Sequence, residues 1–185
     1  MAERNNNKAL ATSTAANLPS SFSADEVVKQ TLPAAVHSRC KGYTSALQAV
    51  DSGERTLATL RHTCGEDKTL ALLKLHLLEL NELLNLGRPM GETLIDRMAD
   101  SIAHTYYYLN MAEIHLVLDR GAAGHYGQVM MCNMATVMRW FAEYDTERTE
   151  QVVERNLAAH ERLKMGYEDK PRMSETKLRD LMKNK

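Results

Sequence analysis

The chain has 185 residues, 44% hydrophobic and 25% charged, with 23 basic and 24 acidic side chains and a net charge of −1. That mix is globular, so it excludes a disordered chain, and its balance offers no overall attraction to phosphate or an anionic membrane. The length suits one domain with tails.

No run approaches the roughly 20 apolar residues of a membrane-spanning helix, and the N-terminal residues lack the apolar segment of a secretory leader. The cysteines are Cys40, Cys64 and Cys132. An odd, widely spaced set with no C-x-x-C pair reads as reduced, buried thiols and leads us to expect a cytoplasmic protein.

Residues 1–22 are small, polar and aperiodic, which suits a flexible N-terminal arm. Ser23-Ala24-Asp25-Glu26 has the capping-box pattern and predicts a short helix to about Gln30, stopped by Pro33. Residues 43–64 read as helical with a break at Asp51-Ser52-Gly53, where Asp51 or Ser52 could cap a second short helix over 54–62. The strongest helix is predicted over 66–86, punctuated by Gly65 and by Gly87 as C-cap glycine. Leu70, Leu73, Leu77, Leu80 and Leu84 form one stripe, while Leu72, Leu75, Leu83 and Leu86 fall nearly opposite. A helix with two apolar stripes is sandwiched, inside the fold or between two chains.

A helix over 92–109 carries Leu94, Ile95, Met98, Ile102 and Tyr106 as its buried stripe. Asn110-Met111-Ala112-Glu113 repeats the capping logic and starts a short helix over 111–120. Gly121, Gly124 and Gly127 break it. A last helix is predicted over 133–164, aromatic in its first half and projecting in its second. The fold expected is therefore all-α: a compact bundle of four to six helices over 23–164, with the 66–86 helix central and a long C-terminal helix. A basic polar tail occupies 165–185.

Seven of the ten aromatic residues lie between Tyr106 and Tyr144. Aromatic rings bury the most area per residue. Tyr106, Tyr126, Trp140, Phe141 and Tyr144 are therefore expected to share one buried cluster. Seven of the eleven methionines lie between Met90 and Met138. They suit a surface that grips partner helices, and equally the filler of a helical core.

Candidate chemistry is thin. His115 and Asp119 are one helical turn apart, with Glu113 and His125 nearby, but the H-E-x-x-H order of zinc enzymes and the Glu-x-x-His pairs of di-iron bundles are missing. An amphipathic helix with polar residues facing water accounts for the pair. Glu79 and Glu82 beside His76 read as a solvated strip between apolar stripes. Gly124-His125-Tyr126-Gly127 is no phosphate loop; its glycines permit a tight turn with Tyr126 folded onto the core. No catalytic residues, metal ligands or cofactor are expected.

Several landmarks recur in a fixed order: Tyr106-Tyr107-Tyr108, the capped helix from Asn110, the Gly-x-Tyr-Gly turn at 124–127, Trp140, Tyr144 and then Glu147-Arg148. In this the chain resembles a family of small helical proteins encoded in bacterial prophages and mobile elements. Where that family carries Arg-Leu-Asp before the last helix, this chain has Met130-Met131-Cys132-Asn133. The resemblance implies an accessory part in phage or element replication, in contact with a helicase, another replication protein or a host protein. The function expected is thus a non-enzymatic interaction protein, with a homo-oligomer left open. Its expected partner-binding residues are Met130, Met131, Arg139, Glu147 and Arg148. The alternative is nucleic-acid binding through the tail residues Lys170, Arg172, Lys177, Arg179, Lys183 and Lys185, which could neutralise a few phosphates.

Overall fold

The computed structural model describes residues 23–168, with side chains to 164. The expected N-terminal arm and the six basic residues of the tail lie outside the described residues.

Eight helices and no strand occur among the described residues. They are α1 (Ala24–Thr31), α2 (Pro33–Cys40), α3 (Ala46–Val50), α4 (Leu57–Cys64), α5 (Glu66–Leu84), α6 (Glu92–Thr105), α7 (Met111–Ala122) and α8 (Met134–Glu168). The all-α expectation holds, and the count exceeds four to six because residues 24–64 fold as four short helices. None of the described helices is long and apolar enough to cross a membrane. Cys40, Cys64 and Cys132 are free thiols.

Local sequence explains most boundaries. Ser23, Ser45 and Asn110 each close a capping box, with Glu26, Gln48 and Glu113 as the reciprocal partners. Pro33 opens α2 at its first turn, where a missing N–H costs nothing. Asn133 accepts from the Thr136 N–H at 2.9 Å and so caps α8. Three boundaries differ from expectation. The fourth helix is capped by Thr56, not by Asp51 or Ser52, because the stretch before it is drawn into an antiparallel bridge with Asn110. Helix α5 ends on Asn85 in the left-handed region (φ 42°), two residues before Gly87. Helix α6 stops at Thr105, since the Tyr107 and Leu109 carbonyls are taken by the N–H groups of Ala58 and Leu57.

The centre of the fold is α7, not α5. All eight residues from Met111 to Leu118 are buried. Helices α2, α3, α5 and α8 pack around it. Helix α5 lies to one side, against α4 and α6. Its sequence misled because leucine density marks a helix with much apolar surface, whereas burial on all sides marks the middle of a bundle.

The aromatic cluster forms as expected. Tyr106, Tyr126, Trp140, Phe141 and Tyr144 are all buried in one core. Tyr106 stacks on Phe141 at 5.1 Å and Tyr126 on Trp140 at 6.2 Å. Gly124 and Gly127 have φ of 81° and 100°, and this turn folds Tyr126 inward. Gly121 serves a different end: a Cβ there would lie 2.3 Å from the Trp140 ring. A missing side chain on α7 thus lets α8 lie close.

Candidate functional site

A helix buried all round has no face for water, so each polar residue in it must find a partner. Helix α7 carries two such residues near its start, Glu113 and His115, and they meet different surroundings.

Glu113 is enclosed by donors. Its Oε2 accepts from the Asn110 N–H at 2.9 Å. Its Oε1 accepts from the Tyr144 hydroxyl at 3.2 Å and from Arg148 Nε at 2.6 Å. Arg148 also lies over the Tyr108 ring at 5.4 Å. Burial and the adjacent carboxylate push the Tyr144 hydroxyl well above its usual pKa, so it stays a donor. Farther along α7, Arg120 grips Glu147 with both terminal nitrogens, at 2.8 and 3.3 Å, and Gln151 donates to the same carboxylate. These contacts pin α8 to α7.

His115 faces a second set. Its Nε2 is 3.2 Å from Nδ1 of His37 on α2. Across from it on α5 is His76, 1% exposed, whose Nε2 is 3.1 Å from the Thr31 carbonyl. A carbonyl only accepts, so Nε2 carries the proton and Nδ1 keeps its lone pair. That Nδ1 is buried with no hydrogen-bond partner. Burial lowers the His76 pKa from 6.5 to about 4 and outweighs the Thr31 carbonyl. His115 is lowered by burial as well, against the pull of Asp119 one turn on. Glu79, three residues past His76 on α5, is half-buried, and its carboxyl is raised by desolvation. One donor atom each from His76, Glu79 and His115 fall within 4.8 Å of one another.

The structure thus corrects two sequence readings. His115 is not a solvent-facing residue of an amphipathic helix but is buried. Of the strip read from Glu79 and Glu82 beside His76, Glu82 is exposed, Glu79 is half-buried and His76 is buried. Glu113 is interior, whereas Asp119 and His125 face water. One signal was present: Met111-Ala112-Glu113-Ile114-His115-Leu116-Val117-Leu118 is apolar on every side, which foretells that its two polar members are buried.

The expected partner-binding residues divide. Met130 is 79% exposed and Met131 is also exposed, at the edge of a cavity shared with Arg88, Met90 and Leu94. Arg139 is exposed and donates to the Tyr126 carbonyl at 3.2 Å. Glu147 and Arg148 are committed to Arg120 and Glu113 inside the fold. Their charges are thus already engaged by partners on α7.

Two apolar surfaces remain open. On α5, Leu75, Leu78 and Leu83 are exposed, and Leu75 lines a cavity of about 220 Å³ with Leu72, Val28 and Leu32. On α8, Arg155 pairs with Asp51 at 2.7 Å, and Leu157 and Leu163 beyond it are exposed. Compared with protein-family models, curated proteins and solved structures, the chain matches none.

Proposed function

We propose that the chain is a non-enzymatic interaction protein of the cytoplasm that receives an amphipathic helix of a protein partner on the α1–α5 face. The observation that carries this is the second leucine stripe of α5. The first stripe is buried against the body, through Leu73, Leu77 and Leu80. Of the second, Leu72 is covered, while Leu75 and Leu83 stay exposed with Leu78 beside them. These exposed leucines, with Leu75 at the edge of a hollow walled by Val28 and Leu32, suit the i, i+3, i+4 anchors of an incoming helix. Asp25 and Lys68 also line it, paired with each other at 3.2 Å. The resemblance of the stretch from Tyr106 to Arg148 to proteins of prophages and mobile elements makes a replication or host protein the partner we favour. Met130, Met131 and Arg139 offer a second exposed contact region.

The test is capture from a bacterial lysate by the full chain and by a Leu75→Glu/Leu78→Glu variant. Both positions are exposed, so the variant should melt as the parent does. A protein retained by the parent and lost by the variant supports the proposal. Equal retention by both, or none by either, overturns it. Retention abolished by nuclease would instead favour nucleic-acid binding through Lys170, Arg172, Lys177, Arg179, Lys183 and Lys185. Association of the chain with itself, abolished by the same variant, would make the occupant a second copy.

A further inference from the structure

Independently of any partner, we propose that His76, Glu79 and His115, with His37 as fourth donor, form a binding site for one divalent first-row transition-metal ion. Three helices that pack on one another, α2, α5 and α7, deliver these side chains to one place.

The chemistry of the set is specific. Imidazole nitrogens with a carboxylate oxygen are the ligands that zinc and its neighbours take, typically four in a tetrahedron. A tetrahedron with bonds of roughly 2.0–2.1 Å has edges of about 3.3–3.4 Å. His37 Nδ1 and His115 Nε2 already stand 3.2 Å apart. The donor atoms of His76, Glu79 and His115 lie within 4.8 Å of one another, a gap that small side-chain rotations close.

His76 gives the strongest reason to expect a ligand. Its Nε2–H is fixed on the Thr31 carbonyl, the outer contact that orients a metal-binding histidine and sets its tautomer. The opposite nitrogen is left as a bare lone pair, fully buried, with no donor to meet it. Such an atom costs stability unless something binds it. A proton is a poor candidate there, in an apolar setting with histidines for neighbours. A metal ion satisfies the lone pair and is itself offset by Glu79, with Asp119 one turn beyond His115 adding negative charge. His37 and His115 also line a hollow of about 70 Å³, together with Cys40, Tyr43 and Asp119.

The test uses the full chain without a polyhistidine tag, stripped with chelator and titrated with Zn²⁺ against a chromophoric competitor. We expect one ion per chain and a higher melting temperature with metal present. The Co²⁺ form should show the intense visible bands of a tetrahedral site. Glu79→Gln and His115→Ala should each weaken Zn²⁺ binding at least about tenfold, as ligand-shell losses do. His104→Ala, an exposed histidine on α6, should change nothing. Should His115→Ala fail to fold, Glu79→Gln and the cobalt spectrum of the parent still decide. Absence of stoichiometric binding, or binding that Glu79→Gln leaves intact, overturns the site. Neither result depends on whether a protein partner docks on the α1–α5 face.

Discussion

Two residues apart on the same buried helix, Glu113 and His115 show two ways a fold can treat an interior polar group. Around Glu113 both carboxylate oxygens receive hydrogen bonds and a guanidinium balances the charge. Around His115 there are two more imidazoles, one half-buried carboxylate, and a neighbouring nitrogen left unpaired. A closed network rigidifies and specifies a structure. An open one costs stability and persists where something completes it. The difference sets Glu113 within the architecture and makes the histidine cluster the candidate for the proposed metal site.

The sharpest way to break the comparison is Glu113→Ala. It would strand Arg148 in a mostly buried setting and free the Asn110 N–H and the Tyr144 hydroxyl together. Breaking a buried pair from one side costs about 3–5 kcal/mol. Urea unfolding should show that loss, and a cost below about 1 kcal/mol would place Arg148 in water and dissolve the contrast. Trp140→Ala supplies the apolar yardstick on the same α7–α8 contact. Truncating a fully buried large aromatic costs about 3–5 kcal/mol, and a melting temperature close to the parent's would contradict the packing against Gly121.

Acid sharpens the other half. Burial holds His76 at about 4, against 6.5 when unfolded. As pH falls, the unfolded chain takes up this proton first. The stability tied to neutral His76 is therefore complete above 6.5, drains away as pH falls to about 4, and loses nothing further below. The loss is of order 3 kcal/mol for this one group. His115 acts in the same sense, whereas Glu79, raised by burial, acts in the opposite one; His37 and Asp119 also face this set. His76→Leu isolates the effect. In chelator-treated protein, unfolding free energies of parent and variant should diverge as pH falls through that window. Parallel curves would show that His76 is solvated.

How much of this could be read from the residues follows from distance along the chain. Capping boxes close over three residues, so Ser23 and Asn110 were legible as helix starts. The aromatic cluster was legible because ring area alone draws Trp140 and Phe141 inside. Helix α4 was displaced from its expected start because a pairing with residues some fifty positions later claimed Thr56. The site was illegible for the same reason in stronger form. Arg148 meets Glu113 across 35 residues and His115 meets His37 across 78, and neither pair has a spacing that periodicity can reveal. The second leucine stripe of α5 was legible as a stripe, but not as an open one, since openness depends on what other helices leave uncovered.

The smallest test asks whether the Glu113 network is closed with redundancy. Tyr144→Phe deletes one hydroxyl and leaves the ring packed in the core. The oxygen that loses it, Oε1, keeps Arg148 at 2.6 Å, and Oε2 keeps the Asn110 N–H. No acceptor is stranded, so the cost should be that of one ordinary hydrogen bond, about 0.5–1.5 kcal/mol. The histidine cluster has no such reserve, because His76 Nδ1 has no first partner, let alone a second. A loss in Tyr144→Phe as large as that in Glu113→Ala would mean that Arg148 cannot hold the carboxylate alone. Glu113 would then be as exposed to a missing partner as His76 is, and the two polar centres of α7 would differ in degree only.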